Sequence, residues 1–247
     1  MDRIRLFGLE RSVYTRIARL ALEEKGVDYA LENVEVFGPG GVPNEHFNRH
    51  PFGRIPVLQH GTFVLYETAA ITRYIDESFA GPPLQPATAT ARARMQQIIG
   101  ILDTYAYQPM VWGVFVGGVL SSSRATTPEA GAKAVSGALD VSAICLDALE
   151  KLVEGDGGLV DGRLTLADLH AFPILRFLSL APEGKSLLAS CKHLCPWFQA
   201  MLARPSVLKT RTDYEPCMQP SADGGWSEVV IRPATPGRRS TSVKGLP

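Results

Sequence analysis

The spacing of hydrophobic residues changes several times along the first part of the chain. Apolar positions alternate over residues 4–7, recur every three or four residues after Ser12, and alternate again over 27–36. Alternation is typical of strands, and the longer period is typical of amphipathic helices. Ser12 is a suitable N-cap for the helix, and Gly26 is a suitable stop. The pattern predicts β-α-β, followed by an irregular segment with one helical turn.

A hairpin and a helix are predicted next. Two short apolar runs, 55–58 and 62–66, are separated by the turn-like residues 59–61. After residue 66 the period changes to about 3.6, and it predicts a helix that begins at residues 67 and 68 and ends near Phe79. The resulting order, β-α-β-α-β-β-α, is a thioredoxin-like arrangement.

The rest of the chain is predicted to be helical almost to Tyr214. Breaks fall near residues 121–128, 155–158 and 182–184, and they divide the segment into five or six helices. The fold class is therefore α/β followed by all-α, and the cleft between two such domains is a usual place for a small-molecule site. The predicted boundaries are a thioredoxin-like domain over 1–80, a linker over 81–87, an all-α domain over 88–214 and an extended tail over 215–247.

Two local features of the second half have a structural interpretation. Thr165 and Asp168 have the spacing of a capping box ahead of an apolar helix, so we assign them a capping role and no catalysis. Past Pro216 the chain is polar and rich in Pro and Gly, which predicts a flexible or surface-wrapping tail. Residues 226–231 are the one candidate strand in that tail.

Composition limits the partners. Positive and negative residues balance at 25 each, which argues against nucleic acid or an anionic membrane surface as the main partner. No apolar run approaches a membrane span, and the N-terminal residues lack the apolar region of a secretion signal. We therefore expect a cytoplasmic protein.

Cysteine and histidine give no metal site. The four cysteines form no CxxC motif and are interpreted as free thiols. Cys191, His193 and Cys195 lie close in sequence, but a second pair of ligands is missing, so no metal is predicted. His46 and His50 are four residues apart, but Pro51 directly follows His50 and no Glu lies between them as in a metalloprotease helix, so we interpret both as surface histidines.

The stretch around Pro56 also carries candidate chemistry. From local sequence alone, the peptide bond before Pro56 is expected to be trans. Glu67 and Thr68 stand at a helix start, where free backbone N–H groups and the helix dipole favour an anion such as a carboxylate. The simpler interpretation of Glu67 is an acidic residue that is favourably placed in a first helical turn.

Residues 51–56, PFGRIP, and 66–75, YETAAITRYI, resemble in order and spacing the glutathione-binding half of glutathione transferases. The resemblance covers about residues 3–210. It implies that Pro56 is cis, that the backbone of Ile55 pairs with the cysteinyl part of glutathione, and that Glu67 and Thr68 hold the γ-glutamyl end. Glutathione is then the co-substrate, with no metal.

The loop over residues 7–16 resembles the catalytic loop of serine-type members, most closely the phi class. The resemblance implies that Ser12 stabilises the glutathione thiolate. A hydroxyl at a helix N-terminus can do so, although an N-cap alone explains a serine there equally well. Tyr14 and Thr15 are the alternatives to Ser12, and Tyr14 could donate from its phenol.

The sequence departs from the phi pattern at one point. Residues 40–43 are Gly-Gly-Val-Pro, where phi members often have a basic pair. The glycine carboxylate of glutathione is then left to Arg54, to Arg11 or to nearby backbone. Phe52 matches an aromatic residue that inserts into the neighbouring subunit in related dimers, so we expect a homodimer with Phe52 and Arg73 at the interface.

The second substrate is expected to be an apolar, aromatic electrophile. Aromatic and Met residues at helical spacing are more often core than pocket. The candidates for the hydrophobic site are Tyr14, Tyr105, Tyr107, Met110, Trp112 and Phe115. A narrower hypothesis is glutathione-dependent cleavage of an aryl ether, as in bacterial relatives of this family. A hypothesis of another class is a non-catalytic binding or dimerisation module with the same fold.

Overall fold

The computed structural model of the protein describes residues 3–120, 128–153, 157–215, 217–220 and 226–229. The predicted break at 121–127 and most of the tail lie outside these residues. The N-terminal elements are β1 Ile4–Gly8, α1 Val13–Glu24, β2 Tyr29–Asn33, a 3-10 turn Asn44–Asn48, β3 Val57–His60, β4 Phe63–Tyr66 and α2 Thr68–Ser78.

The four strands form one mixed sheet in the order β2-β1-β3-β4. β1 is parallel to β2 and antiparallel to β3, and β3 is antiparallel to β4. The predicted thioredoxin-like order is confirmed. Two boundaries differ, because β2 is shorter than the predicted 27–36 and β3 continues through His60, so that only Gly61 and Thr62 form the turn. Gly61 has a φ of 59°, which a two-residue hairpin of this kind requires.

The C-terminal domain is helical, as predicted. Its elements are α3 Ala89–Ile101, two π-helical segments Leu102–Ala106 and Gln108–Leu120, and then α4 Pro128–Glu150, α5 Leu166–Ser179, α6 Pro182–Ala189, α7 Leu194–Leu202 and α8 Pro205–Lys209. The π-helical conformation was not predicted. Within the described residues, no helix is long and apolar enough to cross a membrane.

Helix α5 is the central element of the helical domain, and all residues from Leu166 to Leu178 are buried. Its N-terminus has the predicted capping box. Asp168 accepts hydrogen bonds from the backbone N and the hydroxyl of Thr165, each at 2.7 Å. The other carboxylate oxygen accepts from the Leu159 backbone N at 2.8 Å and from Trp197 Nε1 at 2.7 Å. One buried carboxylate thus connects the α5 start to a preceding loop and to α7.

A buried ion pair lies where the two domains join. Lys25 Nζ is 3.1 Å from Asp76 and also donates to the carbonyl of Pro82, and both charged side chains are almost fully buried. Asp76 in addition accepts from the Leu84 backbone N and the Gln85 amide. Burial raises the pKa of Asp76, but these hydrogen bonds outweigh burial and hold that pKa below its usual value.

Residues 1–211 form one compact unit and residues 212–247 form a second. In the second unit, β5 Cys217–Pro220 pairs antiparallel with β6 Trp226–Val229. The candidate strand of the tail is therefore paired over residues 226–229. The domain boundaries given above stay predictions.

Candidate active site

A cleft of about 540 Å³ opens between the N-terminal sheet and the π-helical segments. Most of the predicted glutathione residues line one side, which we call the polar wall: Ser12, Arg54, Ile55, Pro56, Glu67 and Thr68. Facing it is the aromatic wall, formed by Phe37, Tyr107 and Trp112. The sheet supports the polar wall through a buried apolar cluster of Phe7, Leu9, Val34, Ile55 and Val57.

Ser12 is the N-cap of α1. Its Oγ accepts a hydrogen bond from the Thr15 backbone N at 3.3 Å, and the side chain is almost buried while lining the cleft. Because this bond uses an oxygen lone pair, the hydroxyl hydrogen is left over, and no acceptor for it exists within the described residues. A donor at the positive end of a helix suits an anion.

The Ile55–Pro56 peptide bond is cis, so the trans isomer expected from local sequence is wrong. The segment before it is held by a histidine that sequence reasoning placed at the surface. His46 is fully buried, and its Nε2 lies 2.7 Å from the carbonyl oxygen of Arg54. The interpretation of His46 as a surface residue is therefore wrong, because the 3-10 turn points its ring inward.

Glu67 and Thr68 form the start of α2, as predicted. Glu67 has a φ of 70°, which is uncommon for a residue with a Cβ and costs backbone energy. Its side chain is exposed and makes no capping bond, whereas Thr68 is 8% exposed. A strained residue in a cleft is typical of ligand-binding positions. The helix N-terminus beside it presents unpaired N–H groups.

His50 also lines the cleft and is only 2% exposed, so its surface assignment is wrong as well. Its ring lies against the ring of Tyr66, with 4.6 Å between centroids, and its Nδ1 accepts from the Phe52 backbone N at 3.3 Å. Burial lowers the pKa of His50, as do the nearby His46 and Arg54, while Glu67 opposes the shift. The lowered pKa favours the neutral form of the His50 ring. The four-residue spacing between His46 and His50 does not indicate that His50 lies in the cleft.

The two candidate cations differ in availability. Arg11 forms an ion pair with Glu35, which holds the pKa of that carboxyl below its usual range. Arg54 lines the cleft, and within the described residues its guanidinium makes no hydrogen bond or ion pair. Arg54 is thus the cation that the polar wall offers to a carboxylate.

The aromatic wall is held together by side-chain contacts. Trp112 Nε1 donates to the Tyr107 hydroxyl at 3.0 Å, and the ring of Phe37 meets Trp112 edge-on at 6.0 Å. Phe37 and Trp112 remain 52% and 40% exposed. Exposed aromatic faces in a cleft suit an apolar, planar ligand. Phe37 was missed because the segment after β2 has no periodic pattern.

Met110 and Phe115 do not line the cleft. They are 0% and 2% exposed, and Phe115 packs edge-on against Phe177 at 4.9 Å in the core. Their assignment to the hydrophobic site is wrong. In a π-helix the hydrogen bonds run from i to i+5, so each turn holds more residues than the 3.6 of an α-helix. The i to i+5 spacing places Tyr107 and Trp112 on one face of the segment and Met110 and Phe115 on another.

Tyr14 lies in the cleft against Tyr107, with 4.7 Å between ring centroids. Burial raises the pKa of Tyr14 well above its usual value, and the neighbouring Asp103 carboxylate adds to that effect. Asp103, which sequence reasoning did not select, is also 3.9 Å from the buried Nδ1 of His170. The Asp103 carboxylate repels a second anion at Tyr14 and competes with it for the phenol hydrogen.

Two residues predicted at a dimer interface lie on the surface of this chain. Phe52 is 71% exposed, the highest value among the exposed large hydrophobic residues of the described chain. Arg73 forms an exposed ion pair with Glu77 at 2.8 Å. Among the residues that the structure describes, no cluster of three or more His, Cys, Asp or Glu side chains could hold a metal ion.

Both halves of the chain match models of known protein families. Residues 11–78 match the model of the glutathione S-transferase N-terminal domain, and residues 106–205 match that of the C-terminal domain. The chain belongs to the glutathione S-transferase family. The predicted fold class, enzyme class and co-substrate, glutathione, are thereby confirmed.

Individual relatives agree with the family models. Glutathione S-transferase 3 of Zea mays is 30% identical over 216 residues, which covers 85% of this chain and 94% of that protein. The apo structure of a glutathione S-transferase III superposes with a TM-score of 0.70 at 30% identity, and it covers 84% of this chain and 95% of the other.

A beta-etherase, LigF of Sphingobium sp. strain SYK-6, has the same fold. Its structure superposes with a TM-score of 0.65 and covers 84% of this chain and 98% of its own, at 19% identity. At that identity the likeness concerns the fold alone.

Proposed function

We propose that this glutathione transferase binds the tripeptide along the polar wall and uses Ser12 to stabilise its thiolate for attack on an aromatic electrophile. The observation that supports this most is the meeting of three features in one cleft. These are the Ser12 cap, the cis Ile55–Pro56 peptide and the N-terminus of α2.

The energetic demand on Ser12 is modest. A thiol with a pKa of about 8.5 is only a few per cent ionised at pH 7, and lowering that pKa by about 2 units requires roughly 2.7 kcal/mol. A hydrogen bond to a charged group contributes about 1.5–3 kcal/mol. One hydroxyl donor at the N-terminus of α1 is therefore sufficient.

The other residues of the two walls are assigned to parts of glutathione and to the electrophile. Ile55 supplies backbone groups to the cysteinyl part, Thr68 and the α2 N-terminus take the γ-glutamyl carboxylate, and Glu67 takes the ammonium group. Arg54 faces the glycine end. The thiolate then attacks an electrophilic carbon that lies against Tyr107 and Trp112.

The test is the ultraviolet thiolate absorbance of bound glutathione in Ser12→Ala, with Tyr14→Phe as the matched control. Both variants are saturated with glutathione, as checked by calorimetry. We expect Ser12→Ala to lose the thiolate signal at neutral pH and Tyr14→Phe to keep it. A thiolate that persists in Ser12→Ala removes Ser12 from this role.

Aryl-ether cleavage is the narrower candidate, and the exposed rings of Phe37 and Trp112 favour a substrate with an aromatic group. In that reaction the thiolate forms a thioether while the carbon–oxygen bond breaks and an aryloxide leaves. Parallel assays with a chlorodinitrobenzene and a β-aryl ether, each with glutathione, decide between the two. If only the ether reacts, with release of a phenol, the activity is ether cleavage. If only the chlorodinitrobenzene reacts, with formation of a thioether, ether cleavage is excluded.

The proposal includes a homodimer in the cytoplasm. Phe52 supports it, because a phenylalanine 71% exposed at the end of a tight turn is costly in water unless a partner covers it. Light scattering on wild type and Phe52→Ser tests it. We expect the wild type to be a dimer and Phe52→Ser to shift toward monomer. A monomeric wild type would contradict the proposal.

A further inference from the structure

His50 is a polar side chain in the cleft to which the proposed mechanism gives no role. His50 is only 2% exposed, yet it lines the cleft together with Arg54 and Glu67. Nε2 of its neighbour His46 is already paired with the Arg54 carbonyl, and the Nδ1 of His46, which has no partner in the described residues, is fully buried and does not line the cleft. His50 has no corresponding protein partner for its own Nε2 within the described residues.

The hydrogen-bond pattern fixes which nitrogen carries the proton. The Phe52 backbone N–H donates to Nδ1, so Nδ1 is an acceptor. A neutral imidazole has one donor and one acceptor nitrogen, and the donor is therefore Nε2–H. The ring cannot turn over without leaving the Phe52 N–H unpaired, and its contact with Tyr66 restricts it further.

Nε2 of His50 belongs to a side chain that lines the ligand cleft and has no protein partner within the described residues, so it can donate to an acceptor on a ligand. The tripeptide offers two carboxylates as acceptors. Residues 40–43 carry no basic side chain, and Arg11 is paired with Glu35, so Arg54 is the one Lys or Arg side chain among the described residues that line the cleft.

We infer that His50 is a further glutathione-binding residue, whose Nε2–H donates a hydrogen bond to a carboxylate of the tripeptide. The inference rests on the proposed glutathione site. The charged or titratable groups around the ring are Glu67, His46, Arg54 and the phenol of Tyr66. The donor is a neutral imidazole, and it needs no protonation to act.

The test compares two substitutions that separate the ligand bond from the structural one. His50→Asn provides an acceptor for the Phe52 N–H but is too short to place a donor at the Nε2 position. His50→Gln reaches that position with an amide N–H. Isothermal calorimetry measures the Kd of glutathione for wild type and both variants, and thermal unfolding confirms that each is folded.

We expect His50→Asn to weaken glutathione binding about tenfold or more and His50→Gln to stay within about threefold of wild type. Wild-type affinity in His50→Asn would overturn the inference, because only the bond to Phe52 would then matter. An equal loss in both variants would overturn it too, since that result assigns the effect to packing against Tyr66.

Glutathione esterified at its glycine carboxylate decides which end is bound. If the penalty in His50→Asn disappears with the ester, the donor serves the glycine end. If the penalty persists, the donor serves the γ-glutamyl carboxylate. Wild-type protein that binds no glutathione at all would overturn the site and the inference together, whereas intact wild-type binding with unaffected variants would overturn the inference alone.

Discussion

The polar wall and the aromatic wall of the cleft are built by different means. The polar wall depends on backbone geometry: a helix cap at Ser12, a cis peptide before Pro56 and a positive φ at Glu67. The aromatic wall depends on which face of a long π-helical segment meets the cleft. Short motifs can specify the first kind of site, but the second depends on the pitch of an element that no local motif reveals.

The largest effects should separate the two faces of the π-helical segment. We expect Phe115→Ala to lower the free energy of unfolding by about 3–5 kcal/mol, because it leaves a cavity against Phe177. Trp112→Ala, three residues away on the cleft face, should cost far less stability and should raise the KM for the electrophile. Urea unfolding and steady-state kinetics measure both, and comparable destabilisation by the two would refute the assignment of faces.

The support beneath the polar wall gives the next effect. His46→Leu leaves the Arg54 carbonyl without its partner, so we expect a loss of about 1–3 kcal/mol in unfolding free energy and weaker glutathione binding. His46→Gln keeps a donor and is the matched control. If Leu and Gln behave alike in urea unfolding and calorimetry, the bond to Arg54 contributes nothing measurable.

Relieving the backbone strain at Glu67 should increase the stability of the fold and weaken glutathione binding. Glycine adopts a positive φ readily, so Glu67→Gly should raise the free energy of unfolding by up to about 1 kcal/mol while glutathione affinity falls. Glu67→Gln keeps the strain and removes the charge, so it should lose affinity without gaining stability. Thermal unfolding with calorimetry compares them, and a less stable Gly variant would contradict the strain argument.

The smallest effect concerns the bond within the aromatic wall. Trp112→Phe removes the donor to the Tyr107 hydroxyl but keeps an aromatic face. We expect about 1 kcal/mol or less, seen as an electrophile KM raised up to about fivefold, with the Kd of glutathione unchanged. A changed glutathione Kd would mean that the two walls are coupled.

Most of the polar wall could be predicted, because Ser12, Ile55 and Glu67 belong to motifs of fixed spacing. His46 and His50 could not, since the direction of a side chain in an irregular turn depends on tertiary contacts with Arg54 and Tyr66. The order of strands and helices in the N-terminal domain could be predicted because the spacing of its hydrophobic residues changes between two and about 3.6.

For the C-terminal domain, the sequence could predict that it is helical, but not which side chains of each helix face the cleft and which face the core. In an α-helix residues three apart are neighbours, so Met110 would lie beside Tyr107 and Phe115 beside Trp112. The π-helical pitch separates them. Gly113 allows the segment to approach Ala138 of α4 closely, and that tertiary contact has no signature in local sequence.

The buried pair of Lys25 and Asp76 determines where the chain can be cut. A fragment that ends at residue 80 discards the Pro82 carbonyl, the Leu84 amide and the Gln85 side chain, all of which bind this pair. It would leave a buried charge pair short of hydrogen bonds. The smallest N-terminal piece worth expressing therefore extends through Gln85, beyond the last residue of its final helix.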